Sequence, residues 1–158
     1  MAQYIHVAVT QTIDAPAEQV YAVLSDYHIG HPAILPKPYF KDLTIEQGGR
    51  GAGTVFRTNM EVMGVKRSYY MTVTEPQPGR ILVEEDTNVG TRTTFTVEPI
   101  EDGRKTRLTI ATDARLAPGF AGLMERLINP PVMRRIYKQE IAQIETYLRQ
   151  KRTAAVAS

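Results

Sequence analysis

The stretch that most constrains this chain is its C-terminal third, Leu116 to about Lys151. Apolar residues recur there at helical spacing: Phe120, Leu123, Met124, Leu127 and Ile128, then Met133, Ile136, Tyr137, Ile141, Ile144 and Leu148. This i, i+3, i+4, i+7 stripe runs over more turns than most globular helices have. Arg126, Arg134, Lys138, Glu145, Arg149 and Lys151 mark the wet side. Burying the stripe represents on the order of 15–25 kcal/mol of transfer free energy as an upper bound. A partner surface of matching length is therefore required. Within the stretch, Asn129-Pro130-Pro131 reads as an N-cap followed by proline at first helical positions. A break is expected there, between a helix near 118–128 and a second near 130–150; a single kinked helix is the alternative.

The partner surface is a sheet. Residues 4–13 alternate as a half-buried strand, with His6 on its wetter side. Asp14-Ala15-Pro16 stops that strand and opens a helix with Val20, Val23 and Leu24 on its buried face. The segment 27–40 is irregular, and its prolines and glycine allow one short turn around Pro32–Leu35. A strand follows at 39–47, then the glycine-rich turn 48–53. That turn is not a phosphate loop, since no Lys-Ser/Thr pair closes it and a strand follows it. Further strands are expected at about 54–63, 65–75, 80–87, 91–99 and 104–114, separated by glycine-bearing turns. Their short connections make the sheet an antiparallel meander curled around the last helix.

With 158 residues, a formal net charge of +2 and no cysteine, the chain fits one domain without disulfides or thiolate chemistry. The cations are spread along the sequence, which points away from nucleic acid as a partner. No apolar run is long enough for a membrane span and no signal peptide is seen, so a cytoplasmic protein is expected. Residues 1–152 form the expected domain and 153–158 a flexible tail.

The wording Ile13-Asp14-Ala15-Pro16-Ala17-Glu18-Gln19-Val20-Tyr21-Ala22-Val23-Leu24-Ser25-Asp26-Tyr27 resembles the opening of the START-like (SRPBCC) helix-grip superfamily, its polyketide cyclase/dehydrase-like proteins in particular. Thr72-Val73-Thr74-Glu75-Pro76-Gln77-Pro78-Gly79-Arg80 and Thr93-Thr94-Phe95-Thr96-Val97-Glu98-Pro99 are similar to the middle of the same family. The resemblance implies an α+β helix-grip fold: a curved seven-stranded antiparallel sheet around a long C-terminal helix, two short helices after the first strand, and an apolar cavity between sheet and helix. Members are carriers of hydrophobic molecules, aromatases and cyclases, quinone- or sterol-binding proteins, and hormone receptors. Asp26-Tyr27 and Leu35-Pro36 are also similar to the quinone-binding members.

The expected function is binding, or carriage, of a hydrophobic or aromatic small molecule such as a lipid, quinone or polyketide. Tyr27, Tyr39, Phe56, Met60, Tyr69, Met71, Phe95, Met124, Met133 and Tyr137 are the expected ligand-binding residues, the methionines because flexible thioethers line adaptable pockets. The alternative is a cyclase, aromatase or dehydratase using His28, His31, Arg67 and Glu85 as acid–base residues. On strand parity Arg67 groups with Tyr69 and Met71, and Glu85 with Ile81 and Val83, which opens an Arg67–Glu85 pair inside the cavity. His28-x-x-His31 lacks the further ligands a zinc site needs. No metal, no other cofactor and no nucleic-acid partner are expected, and the chain is expected to be a monomer or weak dimer.

Overall fold

The structure, a computed structural model, describes residues 1–158. Seven strands are present: β1 (Tyr4–Ile13), β2 (Phe40–Gln47), β3 (Val55–Val62), β4 (Val65–Gln77), β5 (Ile81–Asp86), β6 (Thr91–Ile100) and β7 (Lys105–Arg115). Two short helices, α1 (Ala17–Ser25) and α2 (Gly30–Ile34), follow β1, and α3 (Gly119–Ala157) ends the chain. The strands form one antiparallel sheet in the order β1-β7-β6-β5-β4-β3-β2. The chain is thus the expected helix-grip fold. Glycine-bearing turns make β2 to β7 a meander. The two helices carry the chain from β1 at one edge to β2 at the other.

The core lies on the concave side. Val20, Leu24 and Tyr27 meet Phe56, Val73, Leu82, Phe95, Val97, Leu108 and Ile110 from the sheet, and Ile141, Ile144 and Leu148 from α3, in one buried cluster. A smaller cluster of Ile5, Val7 and Leu116 closes the β1 side. Gly30 allows the helices to pack this closely: a β-carbon there would sit 2.7 Å from the Val23 carbonyl oxygen.

Two expectations about the C-terminal third are corrected. Residues 119–157 form one helix that passes through Pro130 and Pro131 instead of breaking there. The carbonyls these prolines leave without an i→i−4 donor are those of Arg126 and Leu127. Both residues are exposed, so water can take the missing donors' place. The stripe is also not buried along its whole length. Ile136, Ile141, Ile144 and Leu148 face the sheet, whereas Phe120, Leu123, Leu127 and Ile128 are exposed. Before the prolines the helix has outrun the surface able to cover it. Beyond Lys151 it continues through Thr153–Ala157, every residue exposed. No helix is long and apolar enough to cross a membrane.

Candidate functional site

The concave face holds more polar chemistry than its apolar pattern announces. Glu84 and Glu140 are both buried, one on β5 and one on α3. Glu84 shares its strand parity with Leu82, and Glu140 falls one helical turn after Ile136, so each sits where its element points into the core.

Two segments converge on Glu84. The Tyr27 hydroxyl, from the turn after α1, donates to Glu84 Oε1 at 2.6 Å. His31 Nε2, from α2, lies 3.3 Å from the same oxygen. His31 Nδ1 is 2.8 Å from the Leu24 carbonyl oxygen, which only accepts, so Nδ1 carries a hydrogen. Any hydrogen bond between Nε2 and Glu84 is then made by one proton held between imidazole and carboxyl. The His31 ring is fixed by stacking on Tyr27 at 4.6 Å and by an edge contact with Phe95 at 5.9 Å. Burial, then the charge and hydrogen bond of Glu84, push the Tyr27 phenol well above its ordinary range.

Glu140 is the exception to the satisfied network. Its Oε1 is buried without a hydrogen-bond partner. Burial, with the charge of Glu84 added, pushes its carboxyl up to about 8, so it keeps its proton at neutral pH. An unpartnered buried polar atom costs about 1–3 kcal/mol and calls for an explanation. Close by on α3, the Tyr137 hydroxyl hydrogen-bonds Thr112 Oγ1, which in turn lies 2.7 Å from Thr93 Oγ1. Burial raises the Tyr137 phenol, and it raises that of Tyr69 as well.

Among the residues expected from sequence, His31, Tyr27, Phe56, Met71 and Phe95 are buried on the concave side. Met60, Tyr69, Met124, Met133, Tyr137 and Tyr39 are half-buried. Arg67 stands opposite Met60, hence on the concave face, but it reaches to the rim. Its Nη2 donates to Glu125 Oε1 on α3 at 3.1 Å, and Glu125 Oε2 accepts from the Ala117 N–H. His28 is exposed beside Gly49, away from His31. Glu85 faces the other side of β5, 3.8 Å from Arg92, so there is no Arg67–Glu85 pair. Leu82 and Val83 are both buried, which hid the parity of this strand from its sequence, and a register irregularity between Thr74 and Gln77 precedes it. No three His, Asp or Glu side chains are gathered as a metal would require.

In the sequence Glu84 is one of three consecutive acids, Glu84-Glu85-Asp86, on alternating strand faces, and nothing in that run sets it apart. The signal for Glu140 was present: a lone carboxylate at the apolar phase of the stripe, between Tyr137 and Ile141. Two open recesses, of about 540 and 440 Å³, lie elsewhere, along the outer side of α3. Neither is lined by Glu84 or Glu140, and the chemistry of the buried carboxylates identifies the better candidate site.

The family model described as polyketide cyclase / dehydrase and lipid transport matches residues 4–149. Among solved structures, the KanY protein is 26% identical with a TM-score of 0.77, over 93% of this chain and 99% of that one. The Zhui aromatase/cyclase from a Streptomyces species is 21% identical with a TM-score of 0.77, over 97% and 98% of the two chains. A START superfamily protein from Mycobacterium smegmatis is 17% identical with a TM-score of 0.64, over 92% and 97%. At those identities the last two show the shared fold. No curated protein matches.

Proposed function

Because this chain belongs to the family of polyketide cyclase / dehydrase and lipid-transport proteins, we propose that it binds a small hydrophobic or aromatic molecule carrying one polar group, such as a lipid, quinone or polyketide, between the concave face of the sheet and α3. The observation that carries this reading is the partnerless Glu140 oxygen in an otherwise satisfied, mostly apolar core. A ligand hydroxyl donating to that oxygen removes the cost of leaving it bare. The half-buried Met60, Tyr69, Met124 and Met133 supply adaptable apolar contacts toward the rim. Arg67 and Glu125 stand where a ligand would enter.

Native mass spectrometry and dye displacement with a panel of fatty acids, quinones and aromatic polyketides test this. Ligands with a hydroxyl are expected to bind more tightly than their deoxy analogues, by roughly tenfold for one buried hydrogen bond. Equal binding of both, or uptake of nothing, defeats the proposal.

A second reading, a cyclase or dehydratase, is favoured by one specific arrangement. Glu140 holds a proton at neutral pH beside an imidazole–carboxyl pair that can accept one. Glu140 would protonate a ligand carbonyl or departing hydroxyl while His31–Glu84 removes a proton from the adjacent carbon. Glu140→Gln separates the readings: it preserves uptake of the apolar body in both, and abolishes turnover only in the second.

A further inference from the structure

From the outer face of α3 we infer a docking surface for an anionic phospholipid bilayer. Phe120, Leu123 and Leu127 follow one another at spacings of three and four, and Pro131, Arg134 and Lys138 continue the same face at spacings of four, three and four. All six are exposed. Phe120 and Leu127 are 75% and 63% accessible, and with Leu123 at 52% they form a contiguous apolar strip along one face rather than scattered residues. Beside Arg134 lies Arg135, and neither these two nor Lys138 makes an ion pair. No acidic residue occurs on α3 between Arg126 and Gln139. The helix face is thus an apolar end followed by a cationic end, even though the whole chain carries a net charge of only +2.

A bilayer surface matches both ends at once. The apolar end enters the boundary of the acyl region, and the cations meet lipid phosphates in the headgroup layer. An open recess of about 540 Å³ runs along the cationic part, lined by Pro131, Arg134, Arg135, Lys138, Gln139 and Ala142, where headgroups have room. A second copy of the chain matches poorly. Packed parallel, the faces bring Arg134, Arg135 and Lys138 against their own counterparts; packed antiparallel, they set those cations against Leu123 and Leu127. The β3–β4 turn adds Met63 and Val65, both exposed, near the same end of α3, since Arg67 of β4 reaches Glu125.

The test is flotation of the full chain with vesicles of phosphatidylcholine alone or with roughly one third phosphatidylserine. Binding is expected only with phosphatidylserine, and is expected to weaken as salt rises from about 0.1 to 0.5 M. The variant Arg134→Glu/Arg135→Glu/Lys138→Glu should lower partitioning by at least about 100-fold, and Leu123→Ser/Leu127→Ser by about tenfold. Circular dichroism and dye binding in vesicle-free solution are expected to stay unchanged for both variants, which keeps this result separate from the fate of the ligand-binding proposal. Failure to float with anionic vesicles overturns the inference. So does unchanged partitioning of the charge-reversed, folded variant, or a dimer in sedimentation that the leucine substitutions dissociate.

Discussion

At the scale of single residues, the economics of the core turn on Glu140. In the folded protein its carboxyl is pushed from 4.5 up to about 8. Between those values the folded chain keeps a proton that the unfolded chain releases. Stability contributed by this residue therefore falls as pH rises, by at most about 1.4 kcal/mol per pH unit, and levels off above the folded value. At pH 7 the accumulated cost is about 3 kcal/mol. Glu140→Gln removes the titration, so the variant should gain stability over the parent at pH 8 while differing little near pH 5. Urea denaturation at both pH values checks this. Equal differences at the two values would refute the buried titration. His31, Glu84 and Tyr27 face the same region and remain in both proteins, so their contributions cancel to first order. The same residues show where reading from sequence stopped. Hydrophobic periodicity locates Ile136 and Ile144 because it counts apolar residues, and it steps over a glutamate at the same phase. Only the fold brings Glu84, on β5, to Tyr27 and His31, more than fifty residues earlier in the chain.

At the scale of elements, strand positions and turns were legible because alternation and glycine-bearing turns are local signals. The course of α3 was legible only in part. Proline at 130 and 131 argues locally for a break, yet the helix passes through, with the orphaned carbonyls on exposed residues. Apolar spacing argues locally for burial throughout, yet the sheet covers only the later turns. The early turns are instead held by Glu125, through the Arg67 side chain and the Ala117 N–H, and by Arg126 bonding Gln3. Arg67 is half exposed, so its pair with Glu125 contributes only about 0.2–1 kcal/mol. Such a weak tie sets local opening rather than global stability. Glu125→Ala should accordingly speed amide hydrogen exchange across residues 117–128 several-fold, leave 136–148 unchanged, and shift the melting temperature little. Uniform acceleration along the whole helix would show that Glu125 supports the entire grip, and the two-part description of α3 would fall.

At the scale of the whole molecule, the α3 turns that close the core also carry the carboxyl proposed to recognise a ligand, so binding and folding are coupled. The unfolded chain has no paired sheet and helix to offer, and a ligand held between them stabilises the folded state by mass action. At a ligand concentration of about 100 times Kd the gain is about 2.7 kcal/mol, which for a chain of this length corresponds to a rise of roughly 5–10 °C in melting temperature. The rise should depend on pH in a defined direction. A ligand hydroxyl that donates to Glu140 pairs more strongly with the carboxylate than with the acid, so its affinity rises as pH passes upward through about 8. The ligand-induced shift at pH 9 should therefore be larger than at pH 6.5, and in Glu140→Gln it should be equal at the two. Differential scanning fluorimetry on both proteins, with and without ligand, makes the comparison. A ligand-induced shift that is the same at pH 6.5 and pH 9 in the parent would mean that the bound molecule does not engage Glu140, and the polar anchor would have to be sought in Tyr137 or Arg67 instead.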